Sequence, residues 1–149
     1  MTIWIDADAT PNAVKKIVVR ASRTREVDVV FVANRWLRKP KSAWATTVTV
    51  SSGADKADDY IAENCEAGDL VITADIPLAA RVVDSDAQVI TPYGRELDEE
   101  NVRQALSMRD FNEELRGAGV DTGGPPPFGE SQKQEFANAL DRWITRSMR

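Results

Sequence analysis

Residues 27–33 read VDVVFVA, a run of β-branched and aromatic residues that loses its polar alternation after Asp28. A strand with one wet face alternates apolar and polar side chains. A strand covered on both faces does not, and double cover is typical of a parallel sheet. Parallel strands in turn need long crossovers, usually helical. The neighbouring sequence meets that demand. Residues 3–5 make a short first strand, and Pro11 suits the first turn of a helix whose Val14, Ile17, Val18 and Ala21 recur at i, i+3, i+4 and i+7. Further strands are expected at 46–50, 70–73 and 88–90, with helices at about 55–65 and 77–83. The alternation predicts an α/β fold, a sandwich of helices around a mostly parallel central sheet.

Two C-terminal helices follow, at about 99–115 and 131–146. The second carries Phe136, Ala139, Leu140, Trp143 and Ile144 as one apolar stripe, so it must pack on something. Between them, GAGVDTGGPPPFGE at 117–130 is too rich in Gly and Pro for regular structure; it is a connector or a shaped loop near a site. A chain of 149 residues suits one well-cored domain, taken as 1–149.

Composition narrows the chemistry. The chain has no histidine and one cysteine, Cys65, which excludes an internal disulfide, a cysteine-cluster metal site and a histidine general base. Any catalysis falls to carboxylates and a hard, oxygen-binding cation. No apolar run approaches the roughly 20 residues that cross a bilayer, and no basic, then hydrophobic leader opens the chain, so a soluble cytoplasmic protein without a membrane partner is expected. The net charge of −5 conceals an asymmetry: residues 1–50 hold nine Lys/Arg against four Asp/Glu, and the remainder ten against twenty. A basic third beside an acidic remainder suits a polyanion-contacting surface next to a cation site, or ordinary surface scatter.

The acids fall in a pattern. In a parallel α/β sheet, sites form at the carboxyl ends of the strands. Asp6 and Asp8 follow the first strand in IWIDADAT, and Asp75 follows the strand in VITADIPLA. Asp55, Asp58 and Asp59 in ADKADDY, at i, i+3 and i+4, lie near one face of a helix start. Asp55 and Asp75 also suit N-caps, and Asp58 a first-turn acid favoured by the helix dipole. Carboxylates brought together need a cation or a shared proton. With Mg²⁺ or Mn²⁺ they bind phosphate oxygens and lower the pKa of a bound water, which is phosphodiester hydrolysis without histidine. Asp6, Asp58, Asp59 and Asp75 are the expected catalytic acids, with Asp8 and Asp55 beside them as further metal ligands, and Thr10 and Thr73 as hydroxyls that orient those ligands.

The segment RWLRKPKSAW sets Arg38, Lys39 and Lys41 between Trp36 and Trp44, with Arg35 just before them. Cations contact phosphates, and a tryptophan stacks on unpaired bases for about 1–3 kcal/mol each. RNA or another single-stranded nucleic acid is the partner this composition fits, held by Arg35, Trp36, Arg38, Lys39 and Lys41. The plainer alternative is a solvated basic loop whose tryptophans cover the sheet edge.

Three long motifs, IWIDADATP, ADDYIAENCEAGDLVITADIPLAARVV and MRDFNEELRGAGVDTGGPPPFGESQKQEFANALDRW, resemble the bacterial YaiI/YqxD family over nearly the whole chain. That family is similar in turn to the PIN-like and 5′-nuclease folds. The resemblance implies a three-layer PIN-like sandwich, with metal-binding acids after the first strand (Asp6), in a helix (Asp58 and Asp59) and after a T-x-D strand (Asp75). It departs at Lys56, where an EADD-type motif opens with glutamate, at Pro77, where many 5′-nucleases have a second acid, and at Thr10, where the closer family usually has cysteine.

Two rivals stand beside a metal-dependent nuclease. IWIDADAT satisfies the D-x-D-x-T pattern of haloacid-dehalogenase-type phosphatases, with Asp6 as nucleophile, Asp8 as acid/base and Thr73 as a phosphate-binding hydroxyl. That chemistry needs a later acidic pair, for which only Asp84 and Asp86 offer themselves. The other rival is a catalytically inactive nucleic-acid-binding or interaction module.

Overall fold

Six strands, β1 (Thr2–Asp6), β2 (Asp28–Ala33), β3 (Ala45–Thr49), β4 (Leu70–Ile72), β5 (Gln88–Ile90) and β6 (Glu96–Leu97), form one sheet in the order β3-β2-β1-β4-β5-β6. The first five run parallel, and β6 returns antiparallel to β5. Among the described residues five helices complete the α/β fold: α1 (Asn12–Arg25), α2 (Lys56–Asn64), α3 (Ile76–Val83), α4 (Val102–Gly117) and α5 (Glu130–Ser147). The computed structural model describes residues 1–53, 55–123 and 127–148, so part of the expected 117–130 connector, residues 124–126, lies outside the described residues. No helix among the described residues is long and apolar enough to cross a membrane.

The unbroken apolar run of β2 is explained by its cover. Val29 and Phe31 join Ile3, Ile5, Leu70 and Ile72 in a core shared with α1 and α5, whereas Val32 joins Val71, Val89 and Leu97 in a core shared with α2, α3 and α4. Alternate residues of the same strand thus enter different cores, as the two-residue period of a strand requires. In α1 the buried face is Val14, Val18 and Ser22, four residues apart. The buried Ser22 hydroxyl donates to Val19 O (2.6 Å) and shares a 2.8 Å hydrogen bond with Ser42 Oγ, which moors the segment before β3 to the helix. The stripe of α5 is buried as expected, and Arg25–Asp141 (2.7 Å) joins α1 to α5 at the rim.

Three details depart from expectation. Pro11 is the N-cap of α1 and not part of its first turn, although its carbonyl still accepts from Val14 and Lys15 N–H. The α4 helix buries only Val102 and Ala105, both near its start, and leaves Met108 and Phe111 half exposed. Strand β6 is unexpected; two residues carry too little pattern to read. It is placed by a tight turn in which Gly94 N–H donates to Thr91 O (2.9 Å). Gly94 has φ +87, and a Cβ there would sit 2.8 Å from the Glu135 backbone, so only glycine lets the turn lie against α5. Beside it, Tyr93 and Phe128 pack edge to face at 5.5 Å and fix the approach of the chain to α5.

From β1 the chain winds outward through β2 and β3, then returns to place β4 on the other side of β1. The winding reverses between β1 and β4, so the crevice outside their carboxyl ends is the topological switch point.

Candidate functional site

Strand β1 ends on Asp6 and breaks at once into a 3₁₀ turn, Ala7–Ala9. Thr10 closes that turn by donating from Oγ1 to the Asp6 carbonyl (2.7 Å), and both residues are buried. The Asp6 carboxyl is held at the switch point and its pKa is pushed up to about 6, first by burial, then by the charges of Asp8 and Asp75, against a lowering hydrogen bond from Ala9 N–H.

Strand β4 ends at Ile72, and the buried Thr73 turns the chain by accepting from Asp75 N–H on Oγ1 (3.0 Å). Asp75 caps α3, with Oδ1 accepting from Leu78 N–H (2.9 Å), and Pro77 costs nothing there because first-turn amides have no helical partner. The carboxyl group of Asp75 also shares a hydrogen bond with Asp58, in the first turn of α2. The pKa of Asp58 is raised to about 7 by burial first, then by the charges of Asp75 and Asp6, that hydrogen bond, and Asp55. A bound cation would favour the ionised form of such a carboxyl over the protonated one.

Three elements therefore deliver Asp6, Asp58 and Asp75 to one crevice, and Asp75 is both helix cap and member of the group. Asp55, at the N-cap of α2 with φ 66, makes no side-chain cap bond and adds its charge from the exposed rim. Asp59 turns away from the group to pair with Arg81 of α3 (2.9 Å). Asp8 faces the loop after β2, where Oδ2 accepts from Asn34 N–H (2.7 Å) and Oδ1 stands 3.5 Å from Arg35 Nε. Among the described residues no three acids, histidines or cysteines are gathered into a ready-made metal cage. The donor set, all carboxylate oxygen, nevertheless suits a hard divalent cation.

The basic segment divides. Arg35 leans on Asp8, and Trp36 is 78% exposed. Arg38, Lys39 and Lys41 line a cleft whose opposite wall is α1, with Lys15, Lys16 and Arg23. In sequence those three cations pass for an ordinary solvated helix face, and the four-residue spacing of Lys15, Val19 and Arg23 is the signal that places them on one side. Asp84 and Asp86, the later pair a haloacid-dehalogenase-type site needs, stand just before β5, at the opposite edge of the sheet from Asp6.

Residues 4–146 match the family model described as uncharacterized BCR, YaiI/YqxD family. Similar proteins include the UPF0178 protein Shewmr7_1635 of Shewanella sp. (strain MR-7), 50% identical and spanning 99% of this chain and 97% of that protein. Another is a UPF0178 protein of Saccharophagus degradans (strain 2-40), 49% identical across 100% of this chain and 99% of the relative. No solved structure matches the chain.

Proposed function

The chain belongs to the YaiI/YqxD family, and from its switch-point acids we propose that it is a PIN-like, three-layer α/β protein that hydrolyses phosphodiesters of RNA or another single-stranded nucleic acid with Mg²⁺ or Mn²⁺. The observation that carries this reading is that Asp6, Asp58 and Asp75, from three separate elements, lie close enough for the charges of Asp75 and Asp6 to raise Asp58 and for that of Asp75 to raise Asp6. Helix capping accounts for Asp75 but not for Asp6 and Asp58 facing it, whereas cation binding accounts for all three.

Asp6, Asp58 and Asp75 would hold the cation, with Asp59 reaching it on release from Arg81 and Asp55 adding negative charge at the rim. A bound divalent cation supplies a lowered pKa for water and neutralises charge on phosphate oxygens. The residues around it have separate tasks. Thr73 fixes the Asp75 backbone, the α3 amide of Leu78 fixes the Asp75 carboxyl, and Thr10 fixes the turn that presents Asp6. Asp8 holds the loop carrying Arg35, Trp36, Arg38, Lys39 and Lys41, which would grip the strand. A phosphatase of the haloacid-dehalogenase type draws no comparable support, because Asp84 and Asp86 are at the wrong edge.

The test is cleavage of a mixed pool of RNA and single-stranded DNA with Mn²⁺, by wild type and Asp6→Asn. Cleavage by wild type, abolished in a folded Asp6→Asn protein and by chelation, is expected. An Asp6→Asn rate equal to that of wild type would remove the assignment, and wild-type binding without cleavage would move it to a binding module.

A further inference from the structure

The cleft between α1 and the loop after β2 measures about 630 Å³ and is walled by six cations: Lys15, Lys16, Arg23, Arg38, Lys39 and Lys41. No acid lines it, and among the described residues none of the six is ion-paired with a carboxylate. In a chain of net charge −5, six cations without a carboxylate partner gathered in one concavity make a local positive field that suits an anion. The floor is apolar, with Val19, Phe31, Leu37 and Pro40 beneath the charges.

The walls are firm. Arg23 donates to Lys41 O (3.2 Å), and the Ser22–Ser42 hydrogen bond pins the same end of the loop to α1. At the other end the lining includes Asn12, two residues past the turn that presents Asp6, and Asp8 holds the loop through Asn34 and Arg35. The cleft therefore runs along α1 for about 16 Å, from the switch-point edge of the sheet towards its opposite edge.

We propose that this cleft is the track for a single-stranded polynucleotide, which enters with its phosphates on the α1 and loop cations and leads one end to the acids at the switch point. The proposal rests on the hydrolytic reading for the fate of the strand, but not for its binding. Both RNA and DNA present the required backbone. The narrow cleft, with the volume of a small-ligand pocket, suits an unpaired strand better than a duplex. The exposed Trp36, next in sequence to the lining residue Leu37, offers a base a stacking face at the rim. Recognition by phosphates alone is tolerant of sequence and steeply weakened by salt.

Fluorescence anisotropy with labelled 12-mers of RNA, DNA and duplex DNA, in chelator, tests the track apart from the chemistry. Wild type should bind both single strands in preference to duplex, more weakly as salt rises. Lys15→Glu/Lys16→Glu should weaken single-strand binding at least tenfold, while Arg103→Glu/Arg142→Glu, the same charge change on exposed sites elsewhere, should weaken it less than threefold. Circular dichroism must show both folded; should the first pair not fold, Lys16→Glu alone, at an exposed position, takes its place. Equal losses in the two double variants, no single-strand binding by wild type, or duplex binding as tight as single-strand binding would each overturn the track. Intact binding with no cleavage would overturn the hydrolytic reading alone.

Discussion

Asp6 and Asp69 are equally buried, at 6% and 5% exposure, yet they stand at opposite ends of the sheet in opposite company. Asp69, just before β4, accepts three hydrogen bonds: Thr2 N–H (2.9 Å), the Trp4 indole N–H (3.0 Å) and Glu66 N–H (2.9 Å). Asp6 looks instead towards Asp8 and Asp75, and Asp58 beside it is raised by burial and by the charges of Asp75 and Asp6. The amino end of the sheet uses a carboxylate to tie β1 to β4; the carboxyl end gathers carboxylates that repel. A buried acid is thus identified by its donors, not by its burial.

The sharpest way to expose the difference is the same isosteric change at each end. Asp69→Asn leaves one oxygen where two accepted and turns an amide N–H₂ towards N–H donors, so it should lower stability by about 3 kcal/mol, on the order of 10 °C in Tm. Thermal melts in chelator measure it; an unchanged Tm would dissolve the contrast.

The next effect in size is pH dependence. Asp6 and Asp58 keep their protons to about 6 and about 7 when folded, against 3.8 as the ordinary value. Between pH 4 and 7 the folded chain therefore binds more protons than the unfolded chain. Stability contributed by these carboxyls is fully present below pH 4 and is lost as pH rises through the folded values, by on the order of 2 kcal/mol for Asp6. Urea denaturation across that range checks the slope, which Asp6→Asn should flatten.

Asp58→Asn carries the opposite sign from Asp69→Asn. An amide donates to Asp75 at every pH, so at pH 8 it should stabilise the metal-free chain by about 1 kcal/mol, a figure reduced for the solvent reaching this half-buried site. A destabilisation there would show that the crevice acids are structural after all. The smallest change is Arg35→Ala. Its contact with Asp8 is 3.5 Å long and Arg35 is largely exposed, so stability should move by less than about 0.5 kcal/mol. The salt dependence of single-strand binding should still become shallower.

What could be read from the chain followed from local pattern. The run through β2 announced a doubly covered strand, and the alternation of strand and helix announced the parallel sheet. Asp6 and Asp75 could be placed at one edge because each follows a strand directly. Asp69 could not be understood locally, since two of its donors lie 67 and 65 residues away. Helical spacing grouped Asp58 with Asp59, but it does not disclose that Arg81, 22 residues on, draws Asp59 aside. Lys15, Lys16 and Arg23 became a wall only once the loop after β2 folded across α1.

Calorimetric titration of Mn²⁺ into wild type and Asp6→Asn at pH 6.5, in buffers of different ionisation enthalpy, tests most directly whether the carboxyl end of the sheet is built for a cation. Binding by wild type with release of roughly one proton, and none by Asp6→Asn, is the predicted result. No heat in wild type, or equal binding by the variant, would contradict it.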